Sequence, residues 1–172
     1  MKKKIQIFGY GSLINDKTRQ ITLKKKTKSI PVLFNDPKIS RKWICLKKPP
    51  PKKNRSVLTL YKKKKSKKKI NGILFPIDNN NLLRKLNKRE GSYNLIKLNK
   101  KYFKSFNNKK IPKKDIYSYI SKKKYKKPNK TCKVNQHYID VTIDGLSKFG
   151  KSFVKKFDKF IQKKNIKNTR KN

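Results

Sequence analysis

The segment IQIFGYGSLIN, residues 5–15, opens the fold. Ile5 and Ile7 alternate with polar neighbours, which is the period-two pattern of a β-strand. The strand then runs into the turn 9–12, where two glycines allow a ligand to approach the backbone closely. Backbone N–H groups in such a turn can form a nest that binds an anion or a carbonyl oxygen. The turn is not a dinucleotide fingerprint, because GxGxxG requires a third glycine and a following helix.

Short apolar segments downstream of this turn predict more strands. They are 30–33, 42–46, 57–61, 70–77 and 116–120, with another beginning at Tyr93. The lysine run 62–69, which joins the fourth strand (57–61) to the fifth (70–77), predicts a solvated hairpin tip. The segment 47–54 is predicted to be a loop, because its three prolines cannot enter a ladder, and 122–133 is predicted to be a lysine-rich linker.

Three helices are predicted from caps and from spacing. A short one covers 17–22 with Asn15 or Asp16 as its cap, and a second covers 79–90, with its cap among Asn79–Asn81 and Gly91 following as a C-cap. The third is one long helix capped by Asn135, with a single apolar stripe. Its members are Ile139, Ile143, Leu146, Phe153, Phe157 and Phe160. Gly145 and Gly150 weaken it by about 1 kcal/mol each relative to Ala, which predicts close packing against a neighbour at both positions.

This order of elements predicts an α+β fold with a curved or closed sheet. At 172 residues the chain fits a single domain over 1–164, followed by a polar, disordered tail at 165–172. Trp43 and the phenylalanines of the last helix are predicted core residues. His137 has no partner in the sequence and is predicted to lie on the surface.

The charge is extreme, with 53 Lys and Arg against 8 Asp and Glu and a formal net charge of +45. Such an excess suggests nucleic-acid binding. However, the cations are almost all lysine, Asn and Ile are abundant and Ala is absent, which is the pattern of A/T-rich codons acting on permissive surface positions. We therefore predict no specific nucleic-acid partner, although a protein of this charge can bind polyanions nonspecifically.

Cys45 and Cys132 form no CxxC pair and have a single histidine, His137, in the whole chain. This excludes a Cys/His zinc site and argues against a disulfide framework. A reducing, cytoplasmic location is the corresponding expectation. No apolar run approaches the ~20 residues of a membrane span, and the N-terminal segment lacks a signal-peptide cleavage site.

Glu90 is the only glutamate in the chain, whereas the other seven acidic residues are aspartates. It ends a predicted helix, where the macrodipole disfavours an acid, and Tyr93 opens the next strand. The simplest interpretation is an exposed side chain or a partner of Arg89. The survival of one glutamate in a chain otherwise filled with lysine favours a functional role.

Five motifs, in order from residue 5 to about 161, resemble the γ-glutamylcyclotransferase-like superfamily. They are FGYGSLIN followed by Arg19, then VLTL, INGILFPI, LLRKLNKREGSY and NQHYIDVTIDGLSKFGKSFVKKF. The likeness is to the small soluble members and also to the glutathione-acting branch. One departure is Asn87, where the family commonly has Asp.

The resemblance implies a small mixed β-barrel surrounded by helices, with the Tyr10–Leu13 loop and Glu90 facing one pocket. It implies an enzyme that cyclises a γ-glutamyl group to 5-oxoproline and releases an amine, amino acid or dipeptide, as a transferase or lyase of glutathione metabolism. Glu90 would be the general acid/base, and partial burial would raise its pKa. The substrate-binding candidates are Tyr10, Gly11, Ser12, Leu13, Tyr93 and Tyr138.

The substrate's own amine is the nucleophile in this reaction, so no metal or cofactor is expected. The expected partner is a small γ-glutamyl substrate, with no membrane, and the protein is expected to be a monomer or homodimer. Two alternatives stay open: a catalytically inactive member of the fold that binds a small molecule, and a lysine-rich nucleic-acid-binding protein.

Overall fold

The computed structural model describes residues 4–46, 55–65, 69–91, 93–121, 132 and 134–162. Within them lie eight strands and four α-helices. The strands are β1 (Ile5–Gly9), β2 (Ile30–Phe34), β3 (Ile39–Leu46), β4 (Arg55–Lys62), β5 (Ile70–Ile77), β6 (Tyr93–Leu98), β7 (Phe103–Ser105) and β8 (Ile116–Ser121). The helices are α1 (Asp16–Leu23), α2 (Asn80–Arg89), α3 (Gln136–Ser147) and α4 (Lys151–Gln162). The predicted α+β class is confirmed.

The strands form one mixed sheet in the order β3-β4-β8-β1-β5-β2-β7, with β6 on the other edge of β8. One edge of β8 pairs first with β1, at Ile116 and Tyr117, and then with β4, at Ile120. The sheet therefore forks at β8. In the described residues its end strands β3 and β7 do not pair with each other, so the predicted barrel is wrong and the sheet is open.

The predicted hairpin between the fourth and fifth strands is also wrong. β4 lies between β3 and β8, whereas β5 lies between β1 and β2. The lysine run that joins them therefore connects distant parts of the sheet. The predicted loop 47–54, most of the linker 122–133 and the tail 165–172 lie outside the described residues.

The core lies where β1 and β5 meet the helices. Trp43, Phe153 and Phe157 are buried as predicted, while the side chain of Phe160 lies outside the described part. Buried Arg41 donates to the carbonyl oxygens of Tyr10 and Asn71. No helix in the described residues has the length and apolar character that a bilayer crossing requires.

The last helical segment consists of two helices rather than one. Asn135 caps α3 as predicted, its side chain accepting from the backbone N–H of His137 at 2.9 Å. α3 ends at Ser147, and Gly150 has a φ of +92° with nothing within 4 Å of an added Cβ. Gly150 therefore breaks the helix through its backbone conformation, and the predicted close packing at this position is wrong.

Gly145, in contrast, packs as predicted. A Cβ built there would meet the backbone just before α1, 2.6 Å from the Asn15 nitrogen and 2.7 Å from the carbonyl carbon of Ile14. Beside this contact the Asn15 amide donates to the Asp144 carboxylate at 2.6 Å. α3 is thus seated directly on the segment that follows the glycine turn.

Gly145→Ala tests this seat. Helix propensity alone would stabilise the variant by about 1 kcal/mol. Because the methyl meets rigid backbone, we expect a net loss of about 1–3 kcal/mol in the free energy of unfolding, measured by urea denaturation. Gly91→Ala is the matched control, since its added methyl meets nothing closer than 3.7 Å. A Gly145→Ala protein as stable as the control would show that α3 does not pack closely against the backbone of Ile14 and Asn15.

Cys45 and Cys132 are joined by a disulfide across 87 residues of sequence, which corrects the expectation that the chain has no disulfide framework. The Ser56 hydroxyl donates to the Cys132 carbonyl at 2.7 Å, and Ser56 forms a β-bridge with Val134. These contacts anchor the chain just before α3 on the β3–β4 pair. The reducing compartment was inferred from unpaired cysteines, so it loses that support.

Candidate active site

A cavity of about 490 Å³ opens where the end of β1, the end of α2 and the start of α3 meet. Glu90 and all six predicted substrate-binding residues line it. They are Tyr10, Gly11, Ser12, Leu13, Glu90, Tyr93 and Tyr138. The fold thus brings three separated sequence motifs to one place, while the role of each residue stays a prediction.

Glu90 lies at the C-cap of α2, where its backbone N–H donates to the carbonyl of Leu86 at 2.9 Å. Its side chain is only 17 % exposed. Arg89 Nε donates to Glu90 Oε1 at 3.0 Å. Glu90 is therefore a partner of Arg89, as the simplest interpretation predicts, and it also lines the cavity. Among the described residues that line the cavity, it carries the only carboxylate.

The glycine turn faces the same space. Ser12 begins a short 3-10 turn, Ser12–Ile14, and its backbone N–H donates to Tyr138 Oη at 3.3 Å. A methyl group added to Gly11 would collide with that hydroxyl. Gly11 is therefore needed for the close approach of Tyr138. A hydroxyl that accepts one hydrogen bond still has its own proton to donate.

Buried Arg19 fixes the backbone of this turn from behind. Its Nη1 donates to the carbonyls of Leu13 and Ile14 at 2.8 and 2.7 Å. Its guanidinium also pairs with Asp16 and lies 5.4 Å from the centre of the Phe75 ring. Because both carbonyls are engaged on the core side, the turn has a fixed shape before any ligand binds.

Tyrosines form much of the cavity wall. The Tyr10 hydroxyl donates to the Tyr119 carbonyl at 2.7 Å, and the Tyr119 hydroxyl donates to Asn87 Oδ1 at 2.6 Å. Asn87, the departure from the family pattern, thus supplies an acceptor oxygen that an aspartate would also supply. Burial raises the pKa of Tyr10, Tyr119 and Tyr138, and the nearby Glu90 carboxylate raises each of them further.

These pKa shifts predict the alkaline behaviour of the protein. A raised phenol pKa means that the folded state binds the phenol proton more tightly than the unfolded state does. The resulting contribution to the free energy of unfolding is complete below the unfolded pKa of about 10 and is lost as the pH rises beyond it. Each of the three phenols then contributes a loss of about 1.4 kcal/mol per pH unit.

Absorbance at 295 nm reports tyrosinate directly. We expect at least three of the eight tyrosines to ionise only together with unfolding, which circular dichroism follows. Tyr138→Phe should remove one tyrosine from this late step. Ionisation of all eight in the folded protein would contradict the burial of these hydroxyls.

Several lining residues were not predicted from the sequence. They are Thr18, Ser56, Arg89, Tyr119, Asn135 and His137. His137 is exposed as predicted, yet it also contributes to the cavity wall at the start of α3. Ser56 and Asn135 reach the cavity because the disulfide region joins their segments, and no local pattern shows this. For Arg89 the signal was its position next to Glu90.

The fold is shared with solved structures of other proteins. The sequence matches no protein-family model and no curated protein. A solved structure described as "Gamma-glutamyl cyclotransferase" superposes with a TM-score of 0.70 at 13 % identity, covering 99 % of this chain and 92 % of that one. The predicted resemblance is therefore confirmed at the level of the fold: this chain has the γ-glutamylcyclotransferase-like fold.

Two further solved structures share this architecture. An uncharacterized protein from Homo sapiens has a TM-score of 0.70 at 14 % identity, covering 99 % of this chain and 93 % of that one. A protein from Arabidopsis thaliana, solved in solution, has a TM-score of 0.50 at 15 % identity, with coverages of 95 % and 94 %. At such identities these matches establish the fold but no activity. An activity has to be argued from the residues of the site.

Proposed function

We propose that this protein is a γ-glutamyl cyclotransferase, which converts a γ-glutamyl compound into 5-oxoproline and a free amine, amino acid or dipeptide. The observation that carries the proposal is the sheltered Glu90 carboxylate in one cavity with the Tyr10–Leu13 turn. A cavity of about 490 Å³ is within the range of small-molecule sites.

In the proposed reaction the substrate's α-amine attacks its own γ-carbonyl carbon. A new C–N bond closes the five-membered ring, and the bond from that carbon to the leaving nitrogen breaks. Glu90 takes the proton that the attacking nitrogen releases and passes it to the leaving nitrogen, so no net proton is gained or lost. Because the nucleophile comes with the substrate, the protein has to supply shape, a base and hydrogen-bond donors.

The donors would come from the turn. The Ser12 N–H points at the cavity, since it reaches Tyr138 Oη. A substrate oxygen could accept a hydrogen bond from that N–H in place of the Tyr138 hydroxyl, or it could accept a hydrogen bond from the hydroxyl itself. Preorganised donors of this kind stabilise the negative charge that develops on a carbonyl oxygen during attack. The engagement of Arg19 with the carbonyls of the turn supports a rigid donor set.

The test is release of 5-oxoproline by the purified protein. The panel contains glutathione, a γ-glutamyl amino acid and a γ-glutamyl amine, with the corresponding α-glutamyl dipeptide as a matched control that lacks a γ-amide. We expect product from at least one γ-glutamyl compound and none from the control. Ligand-induced thermal stabilisation without product would favour a binding protein. Nucleic-acid affinity that survives physiological salt, with no product, would favour a lysine-rich nucleic-acid-binding protein.

A further inference from the structure

Arg89 connects the parts of the cavity wall to one another. Its Nε donates to Glu90 Oε1 at 3.0 Å, and its Nη2 donates to Ser12 Oγ at 3.0 Å. Its Nη1 donates to the Thr18 carbonyl at 3.3 Å and to Thr22 Oγ1 at 2.5 Å. One guanidinium thus joins the end of α2, the 3-10 turn and α1.

These contacts decide between two roles for an arginine in such a cavity. An arginine that binds a substrate carboxylate presents its planar fork to the ligand. Here four of the five N–H groups of a guanidinium already have acceptors on the protein. The fork is directed into the wall, so the geometry favours a residue that fixes its neighbours.

The position of Glu90 explains why fixing is needed. It lies just past the last residue of α2, where helix ends fray, and its side chain could adopt several rotamers. Arg89 holds the carboxylate by one nitrogen and the Ser12 hydroxyl by another. The distance from the proton acceptor to the donor turn is then set by a rigid, planar group rather than by two independent side chains.

We propose that Arg89 is a positioning residue that fixes the Glu90 carboxylate relative to the Ser12 turn, using the α1 contact at Thr22 as its outer anchor. This rests on the proposed function of the cavity. Thr22 does not line the cavity among the described residues. Its hydroxyl donates to the Thr18 carbonyl and accepts from Arg89, so its contribution would pass through Arg89.

Kinetics of four variants test the proposal. Arg89→Gln removes charge and fork, Arg89→Lys keeps the charge alone, and Thr22→Val removes the outer anchor. Arg84→Gln is the matched control, because Arg84 is exposed on the same helix and does not line the cavity.

We expect both Arg89 variants to lower kcat by about 100-fold, the scale of a misplacement of about 1 Å, with little change in KM. Thr22→Val should show a smaller loss in the same direction, and Arg84→Gln should equal the wild type. Equal kcat in the Arg89 variants and the control would overturn the inference while the proposed function stood.

A second measurement needs no turnover. Because Glu90 is the only glutamate, selective ¹³C labelling of glutamate side-chain carboxyls gives one glutamate carboxylate resonance to titrate. In Arg89→Gln its midpoint should move to higher pH, since a carboxylate that loses a neighbouring cation holds its proton more tightly. In Arg89→Lys and Arg84→Gln it should stay near the wild-type midpoint.

The two readouts separate the two claims. If the wild-type protein releases no 5-oxoproline, the proposed reaction is refuted. If the Glu90 resonance nevertheless moves in Arg89→Gln and in no other variant, the Arg89 contact is supported. A resonance that titrates identically in Arg89→Gln and Arg84→Gln would overturn the contact, whatever the activity. Urea denaturation of each variant shows whether a loss of kcat reflects unfolding.

Discussion

Glu90→Gln is expected to reduce 5-oxoproline release by about 10²–10⁴-fold, the usual contribution of a general acid–base group. Glutamine has nearly the same shape as glutamate and its side-chain oxygen can still accept from Arg89 Nε, a bond of 3.0 Å in the native protein. It cannot take up a proton at neutral pH. The variant should therefore keep its fold and its ligand affinity and lose its chemistry.

The measurement is kcat/KM with the best γ-glutamyl compound of the panel, beside ligand-induced thermal stabilisation. Asp140→Asn is the control for removal of a carboxylate, because Asp140 is exposed on α3 and does not line the cavity. A Glu90→Gln protein within about threefold of the wild type would remove the general-base role, since it falls far short of the range for such groups. A variant that neither turns over nor binds would point to a structural defect.

Reduction of the Cys45–Cys132 disulfide is expected to lower the free energy of unfolding by about 4–5 kcal/mol. In the chain-entropy account a cross-link stabilises by restricting the unfolded state, and the effect grows with the closed loop. Here the two cysteines are 87 residues apart, which is a long loop. A loss of this size is a large part of the 5–15 kcal/mol typical of a domain.

Urea denaturation with and without a reductant measures the effect. The double variant Cys45→Ser/Cys132→Ser should match the reduced protein and should not respond to the reductant. Because the linked segment leads into α3, the reduced protein should also lose part of its 5-oxoproline release, if the proposed function holds. Identical urea midpoints for the oxidised and reduced proteins would show that the link contributes no net stability.

Much of the local structure was predictable from the sequence. The alternation in Ile5–Gly9 and the apolar run Ile70–Ile77 both identify strands, and both are strands. Asn15, Asn79 and Asn135 all lie among the predicted caps, and each side chain accepts from a backbone N–H group nearby in sequence. Such signals depend on residues within a few positions of each other, so a single sequence carries them in full.

The failures share one cause, which is dependence on residues far apart in the chain. The predicted β4–β5 hairpin followed from proximity along the chain, whereas the sheet places β8 and β1 between those strands. The disulfide was missed because nothing local to Cys45 points to Cys132. Gly150 was visible in the sequence, but its positive φ was not, so it was interpreted as a packing glycine.

The candidate site shows the same division. The residue types pointed to Glu90 and to the Tyr10–Leu13 turn, because a lone acid and a glycine turn are visible in the sequence. The family resemblance added Tyr93 and Tyr138 as candidates. Only the tertiary structure decided that Arg89 turns its nitrogens toward Ser12 and Thr22 and that the sheet stays open. Local patterns follow from the chain's own periodicity, whereas these contacts depend on which distant segments share the same space.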